Sequence, residues 1–153
     1  MKRRPIRVRA RCLVVRDGRL LVQATPDGIV EVPGGRVEFD ESLPFCVVRE
    51  MREEAGVDVE PKDLIYIVEF RGEKRGRKRH EILFYFKCTM EGEPHSKERG
   101  LQFRWLSPDE LSRAAFWPKP LLPYISSDMP DFPYVRFLSI RQDSVEYIMT
   151  KRH

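Results

Sequence analysis

The segment from Gly35 to Val57, GRVEFDESLPFCVVREMREEAGV, constrains this chain more than any other. Val47, Val48 and Met51 recur at helical spacing within it, which predicts a helix with one apolar face on the core. Ser42 supplies the N-cap, and Pro44 fits the first turn. Gly56 ends the helix in the left-handed conformation, and Val57 covers that end. Residues three and four apart on a helix share a face, so Glu50 lies beside both Glu53 and Glu54. Like charges held this close repel, and a bound cation relieves the repulsion. Hard divalent ions take oxygen ligands, and Mg²⁺ in particular uses a few carboxylates together with substrate phosphates. The helix therefore predicts a metal site for phosphate chemistry. The plainer alternative is a surface helix with a solvated acidic face.

The residues around the helix sharpen that choice. Pro33-Gly34-Gly35 breaks the preceding strand and lets backbone approach the acidic face closely. Arg49 can bridge the carboxylates and hold their orientation, with Glu41 beside it. The spacing Gly35, Glu41, Arg49-Glu50-Met51, Glu53-Glu54, Gly56-Val57 resembles the Nudix box. Met51 stands where that family usually has Leu, Ile or Val, a packing variant of similar size. The resemblance covers about residues 6–115. It implies the Nudix fold, an α/β/α sandwich whose mixed β-sheet carries the box helix. It also implies hydrolysis, dependent on Mg²⁺ or Mn²⁺, of a phosphoanhydride in a nucleoside diphosphate linked to another moiety. The metal ligands it implies are Glu50, Glu53, Glu54, the Gly34 carbonyl and Glu98 of the KERG loop. The catalytic group it implies is Glu53, Glu50 and Arg49, with Glu53 the first choice for activating water, Glu50 the second and Glu98 a third. Glu81 and His80 are further candidates at the start of one strand.

Elsewhere the pattern is rich in strands. Ile6, Val8, Ala10, Cys12 and Val14 alternate with Arg7, Arg9 and Arg11, which predicts a strand with an apolar face and an outward basic face. Asp17-Gly18 marks a tight hairpin turn into a return strand, Arg19 to Thr25. Ile29 to Val32 enters the glycine loop, and further strands are expected over 64–70, 80–90 and 101–106. Pro61 to Asp63 reads as a loop. GEKRGRKR, Gly72 to Arg79, reads as a basic hairpin loop that is either solvated or grips phosphates. Ser107-Pro108-Asp109-Glu110 starts a short helix reaching about Ala115. Phe116, Trp117 and Tyr124 either cover the core edge or line a base pocket. From Ser126 onward, strands and a helix remain equally open. Strands before and after one strong helix predict an α+β class and a single domain over 1–153.

Composition narrows the setting. With 153 residues, 41% hydrophobic and 34% charged, the chain can build its own core. No apolar run approaches a membrane span. The basic start MKRRPIRVRA lacks a following apolar stretch, so a secretory signal is not expected. Cys12, Cys46 and Cys88 fall inside expected elements and read as buried free thiols of a reducing, cytoplasmic compartment. The net charge of +4 either simply keeps the surface soluble or favours phosphorylated ligands, a small nucleotide derivative first and nucleic acid second. Two other functions fit the same residues: a nucleotide-sensing module without turnover, and an RNA 5′-end pyrophosphohydrolase supported by the basic loop. Specificity in Nudix relatives lies outside the box, and their substrate marks are missing here. Gly72 and Lys74 stand near positions where ADP-ribose and dinucleoside polyphosphate enzymes often carry Pro and Tyr. The long C-terminal segment is a candidate homodimer element.

Overall fold

The computed structural model describes residues 4–97 and 99–153. In chain order the elements are β1 (Arg7–Leu13), β2 (Val15–Arg16), β3 (Arg19–Ala24), β4 (Ile29–Glu31), β5 (Gly34–Arg36) and α1 (Leu43–Ala55). Then come β6 (Asp58–Lys74), β7 (Arg77–Glu91), β8 (Gln102–Leu106), α2 (Pro108–Ser112), β9 (Ala115–Phe116), α3 (Leu122–Asp128), β10 (Tyr134–Arg141) and β11 (Ser144–Arg152). One sheet runs in the order β11-β10-β6-β7-β1-β5 and is mixed, with β1–β7 and β10–β6 parallel. The other runs β2-β3-β4-β9, with β8 also paired to β3. Strands in two sheets with a helix packed on them make an α+β fold.

Two apolar clusters hold these layers together. Leu13, Leu20, Val22, Tyr66, Phe70 and Tyr85 join residues of both sheets. Ala10, Cys12 and Val14 of β1 and its end receive Cys46, Val47, Met51 and Ala55 of α1. Burying Val47 and Met51 is worth about 1.5–3 kcal/mol each, and it fixes which face of α1 looks outward. Cys12, Cys46 and Cys88 are buried and unbridged. None of the described helices is long and apolar enough to cross a membrane.

Three expectations are corrected by topology. β6 does not break at 61–63 but runs on through them, with register shifts after Pro61 and Leu64. A bulge absorbs the missing N–H of proline that would interrupt a regular ladder. GEKRGRKR is mostly strand rather than loop, since the β6–β7 ladder continues to Lys74 opposite Arg77 and turns at Arg75-Gly76. Arg7, Arg9 and Arg11 do not form an outward solvent face. Arg11 is 2% exposed and donates to the Val32 carbonyl. Because α1 covers the Ala10–Cys12 face, Arg9 and Arg11 turn to the opposite face, where Glu81 of β7 and Glu31 of β4 compensate them. Arg7, at the strand's start, makes no ion pair among the described residues and lines a surface cleft. The open C-terminal region resolves into α3 and the antiparallel pair β10–β11.

Candidate active site

Short-range rules position the box. Ser42 caps α1 by accepting from the Phe45 amide at 3.3 Å. Gly56 closes the other end at φ 68°, with its amide donating to the Arg52 and Met51 carbonyls. With Val47 and Met51 turned inward, Arg49, Glu50 and Glu53 share the outer side.

Arg49 is the hub of that side. Its guanidinium grips Glu41 with two bonds, Nε to Oε2 at 2.5 Å and Nη2 to Oε1 at 2.9 Å. Nη1 reaches Glu50 Oε1 at 2.9 Å and Glu53 Oε2 at 3.2 Å. Nη2 also donates to the Arg36 carbonyl at 3.2 Å, tying α1 to β5. Glu41 is 6% exposed and Glu50 13%, whereas Glu53 is 61% exposed. The bonds from Arg49 hold the Glu41 carboxyl at about 2, well below the usual range, and raise the guanidinium in turn. Burial, with Glu41 nearby, pushes the Cys46 thiol up to about 12, so this cysteine stays protonated and unreactive.

The glycines make the close approach possible. A Cβ on Gly35 would overlap the Glu50 carboxylate. Gly34 has φ +150° and lies against the Ala10 carbonyl. At the carboxyl end of α1, the loop over 95–97 folds back, its His95 and Lys97 amides donating to the Ala55 and Glu54 carbonyls. Glu98 lies outside the described residues. The fold thus gathers Gly35, Glu41, Arg49, Glu50 and Glu53 at one place, with Gly34 beside Gly35 and Glu54 next to Glu53 in the chain. It does not bring His80 into that network, since His80 bonds Glu69 at 3.1 Å. Glu81 is buried and paired with Arg9. Among the described residues no three His, Cys, Asp or Glu side chains converge closely enough to enclose a cation. The oxygens present are nevertheless the hard donors that Mg²⁺ prefers, and Arg49 engages one oxygen of Glu50 and one of Glu53. Two carboxylates completed by substrate phosphates and water match the manner in which Mg²⁺ is held.

A second polar set was not foreseen from the sequence. Lys74 Nζ donates to Glu31 Oε2 at 2.8 Å, Gln23 Nε2 to Glu31 Oε1 at 3.3 Å, and Arg11 stands 3.9 Å from the same carboxylate. Lys74 also lies 3.7 Å from the centre of the Trp117 ring, which packs edge-on against Phe70. Burial pushes the Glu31 carboxyl up, but Arg11 and Lys74 outweigh it and hold the group at about 2. Gln23 Oε1 and Trp117 Nε1 are buried without a partner. The arginine alternation in β1 is the available signal, but alternation alone does not tell which face is covered. Of the aromatics weighed for a base pocket, Phe116 is core, Trp117 borders this polar set, and Tyr124 lies under Arg136.

Comparison with known proteins agrees with this architecture. Residues 5–125 match the NUDIX domain family. The chain belongs to the Nudix hydrolases, enzymes that act on phosphorus-containing anhydrides. It is 35% identical over 103 residues to a MutT-like protein of Streptomyces ambofaciens, a match covering 65% of this chain and 63% of that one. The chain thus spans less than two thirds of that relative's length. It is 31% identical over 106 residues to a CTP pyrophosphohydrolase of Escherichia coli K12, covering 64% of this chain and 73% of that one. A MutT protein structure from Bacillus halodurans superposes with a TM-score of 0.72 at 23% identity, over 95% of this chain and 98% of that one, which speaks for the fold.

Proposed function

We propose that the chain hydrolyses a phosphoanhydride bond in a small nucleoside diphosphate derivative, nucleoside triphosphates included. The observation that carries this reading is the Glu50 carboxylate, pressed against Gly35 and fixed from the other side by Arg49. Such a carboxylate is preorganised, so little reorganisation accompanies catalysis. Glu50 and Glu53, completed by substrate phosphates and water, would hold Mg²⁺ or Mn²⁺, with Glu54 and the Gly34 carbonyl the further ligands that the family resemblance implies. When bound, the cation neutralises phosphate charge and acidifies water.

This chain's own residues do the rest. Glu53 is the most exposed of the carboxylates on α1 that Arg49 contacts, open to solvent while still oriented by Arg49. It takes the proton of the attacking water as the new P–O bond forms and the anhydride P–O bond breaks, the leaving phosphate departing with the electron pair. Arg49 holds Glu41, Glu50 and Glu53 in register throughout. The E. coli relative named for CTP supports placing nucleoside triphosphates first among substrates.

The test is a Mg²⁺-dependent hydrolysis panel of nucleoside triphosphates, nucleotide sugars, dinucleotides and ADP-ribose, run with wild type and Glu53→Gln. Turnover of one class should fall about 10²–10⁴-fold in the variant. Its Tm should move by no more than about 2 °C, because Glu53 is on the surface. Equal turnover by both proteins would overturn the assignment. Silence across the panel with tight binding of one nucleotide would instead mark a sensing module.

A further inference from the structure

We propose that a basic cleft, whose lining shares no residue with the Arg49 network of α1, holds the phosphate backbone of a single-stranded nucleic acid. The cleft, of about 790 Å³, opens where four neighbouring strands of the mixed sheet finish or begin together. The register sets Arg141 of β10 opposite Arg71 of β6, Arg71 opposite His80 of β7, and Arg7 of β1 opposite Glu81 of β7. Seven arginine or lysine side chains line it with a single carboxylate, Glu73. That local excess is larger than the net +4 of the whole chain, so the charge is concentrated here rather than spread for solubility.

The cations are underpaired. Arg71 and Arg141 share Glu146. Among the described residues Arg7, Arg77, Lys78 and Arg79 make no ion pair, and the one carboxylate opposite Arg7, Glu81, is taken by Arg9. The Nε atoms of Arg71 and Arg79 are buried without an acceptor. Arg79 is the main repulsion felt by Arg7, whose guanidinium is pulled below its ordinary value by Arg79, burial, Arg36 and Arg9. A bound anion supplies both the acceptors and the countercharge.

The shape selects the kind of anion. Arg77 and Arg79 are two apart on one strand, ~6.6 Å, and neighbouring strands add steps of about 4.8 Å. A row of cations on that scale suits several consecutive phosphates of one chain better than a lone phosphate. Membrane surfaces are met by convex faces with several inserted apolar side chains. This surface is concave, and Ile6 is its one exposed large apolar residue. No Phe, Tyr or Trp side chain lines it, so recognition falls on phosphate rather than base identity. The site is independent of the hydrolytic reading above.

Fluorescence anisotropy with a labelled 12-nucleotide oligo(U) RNA, over 50–200 mM salt, tests the proposal. Binding should weaken with a log–log slope of about −3.5 for five phosphate contacts, roughly 100-fold across that range. The doubly reversed protein Arg77→Glu/Lys78→Glu changes two exposed positions beside the turn and should retain the wild-type circular dichroism and Tm. It should bind at least about tenfold more weakly with a slope flatter by about 1.4. Arg141→Ala, on another strand, should flatten the slope by about 0.7. No binding at 50 mM salt, or equal affinity and slope in all three proteins, overturns the proposal. So does capture by phosphatidylserine vesicles without RNA binding, which would assign the surface to membranes.

Discussion

Two charged clusters flank β1, and they differ in how they are assembled and how wet they are. On the α1 side, every carboxylate that Arg49 contacts lies within eleven residues of it, and the outer two, Glu38 and Glu53, are 69% and 61% exposed. On the other side, Lys74 and Glu31 meet across 43 residues of chain, with side chains only 8% and 9% exposed. The first cluster is built by one helix and the loop before it. The second exists only because β3, β4, β6 and β1 converge. An open cluster can exchange its internal bonds for a ligand at little cost. A nearly dry one cannot lose a partner without leaving a charge stranded.

The largest effect should come from breaking the dry cluster. Glu31→Ala leaves Lys74 and Arg11 buried without their shared carboxylate, and should cost about 3–5 kcal/mol in urea unfolding. Lys74→Met combined with Glu31→Gln should lose less, because no lysine charge is left unpaired and the Gln carbonyl still offers Arg11 an acceptor. If Glu31→Ala unfolds at the wild-type urea concentration, the cluster is wetter than its exposure indicates and the contrast fails.

Adjacent glycines sharpen the comparison. Gly34→Ala sets a Cβ into the Ala10 carbonyl at a φ that L side chains rarely adopt. It should lower stability by at least about 2 kcal/mol. Gly35→Ala meets instead the far end of the Glu50 side chain. It should unfold near wild type yet lower kcat/KM by about 100-fold, the cost of shifting a catalytic group by about 1 Å. Equal losses of stability in both variants would show that the Glu50 position is structural only.

The same contrast explains what the sequence could disclose. The caps at Ser42 and Gly56, the inward face of Val47 and Met51, and the Arg49 network depend on spacings of three, four and eight residues, which a linear reading carries. The direction of Arg9 and Arg11 depends on which face of β1 the box helix covers, and alternation alone is symmetric between the two. Lys74 looked like one more cation in a basic turn. Its burial follows from the β6–β7 ladder extending to its own position, which brings it to Glu31. Gln23 carries no local signal and Trp117 stands out only as an aromatic among prolines, because their unpaired atoms become conspicuous only once the sheets close over them.

The smallest effect belongs to Glu41, and its sign is fixed by protonation. Its carboxyl falls from an ordinary 4.5 to about 2 in the folded chain, chiefly through its bonds from Arg49. The folded state therefore binds this proton less readily than the unfolded state. The resulting stabilisation is present above pH 4.5 and is lost as pH falls from 4.5 toward 2. Wild type should lose stability over that window more steeply than Glu41→Gln, the excess amounting to about 1 kcal/mol because the pair borders solvent. At pH 7 the variant should also loosen Arg49, so that kcat falls several-fold while KM is unchanged. Unfolding curves at pH 7, 4 and 3 for both proteins give the comparison. Parallel loss of stability in the two would mean that Arg49 holds Glu41 no better folded than unfolded, and that the box carboxylates are oriented by α1 alone.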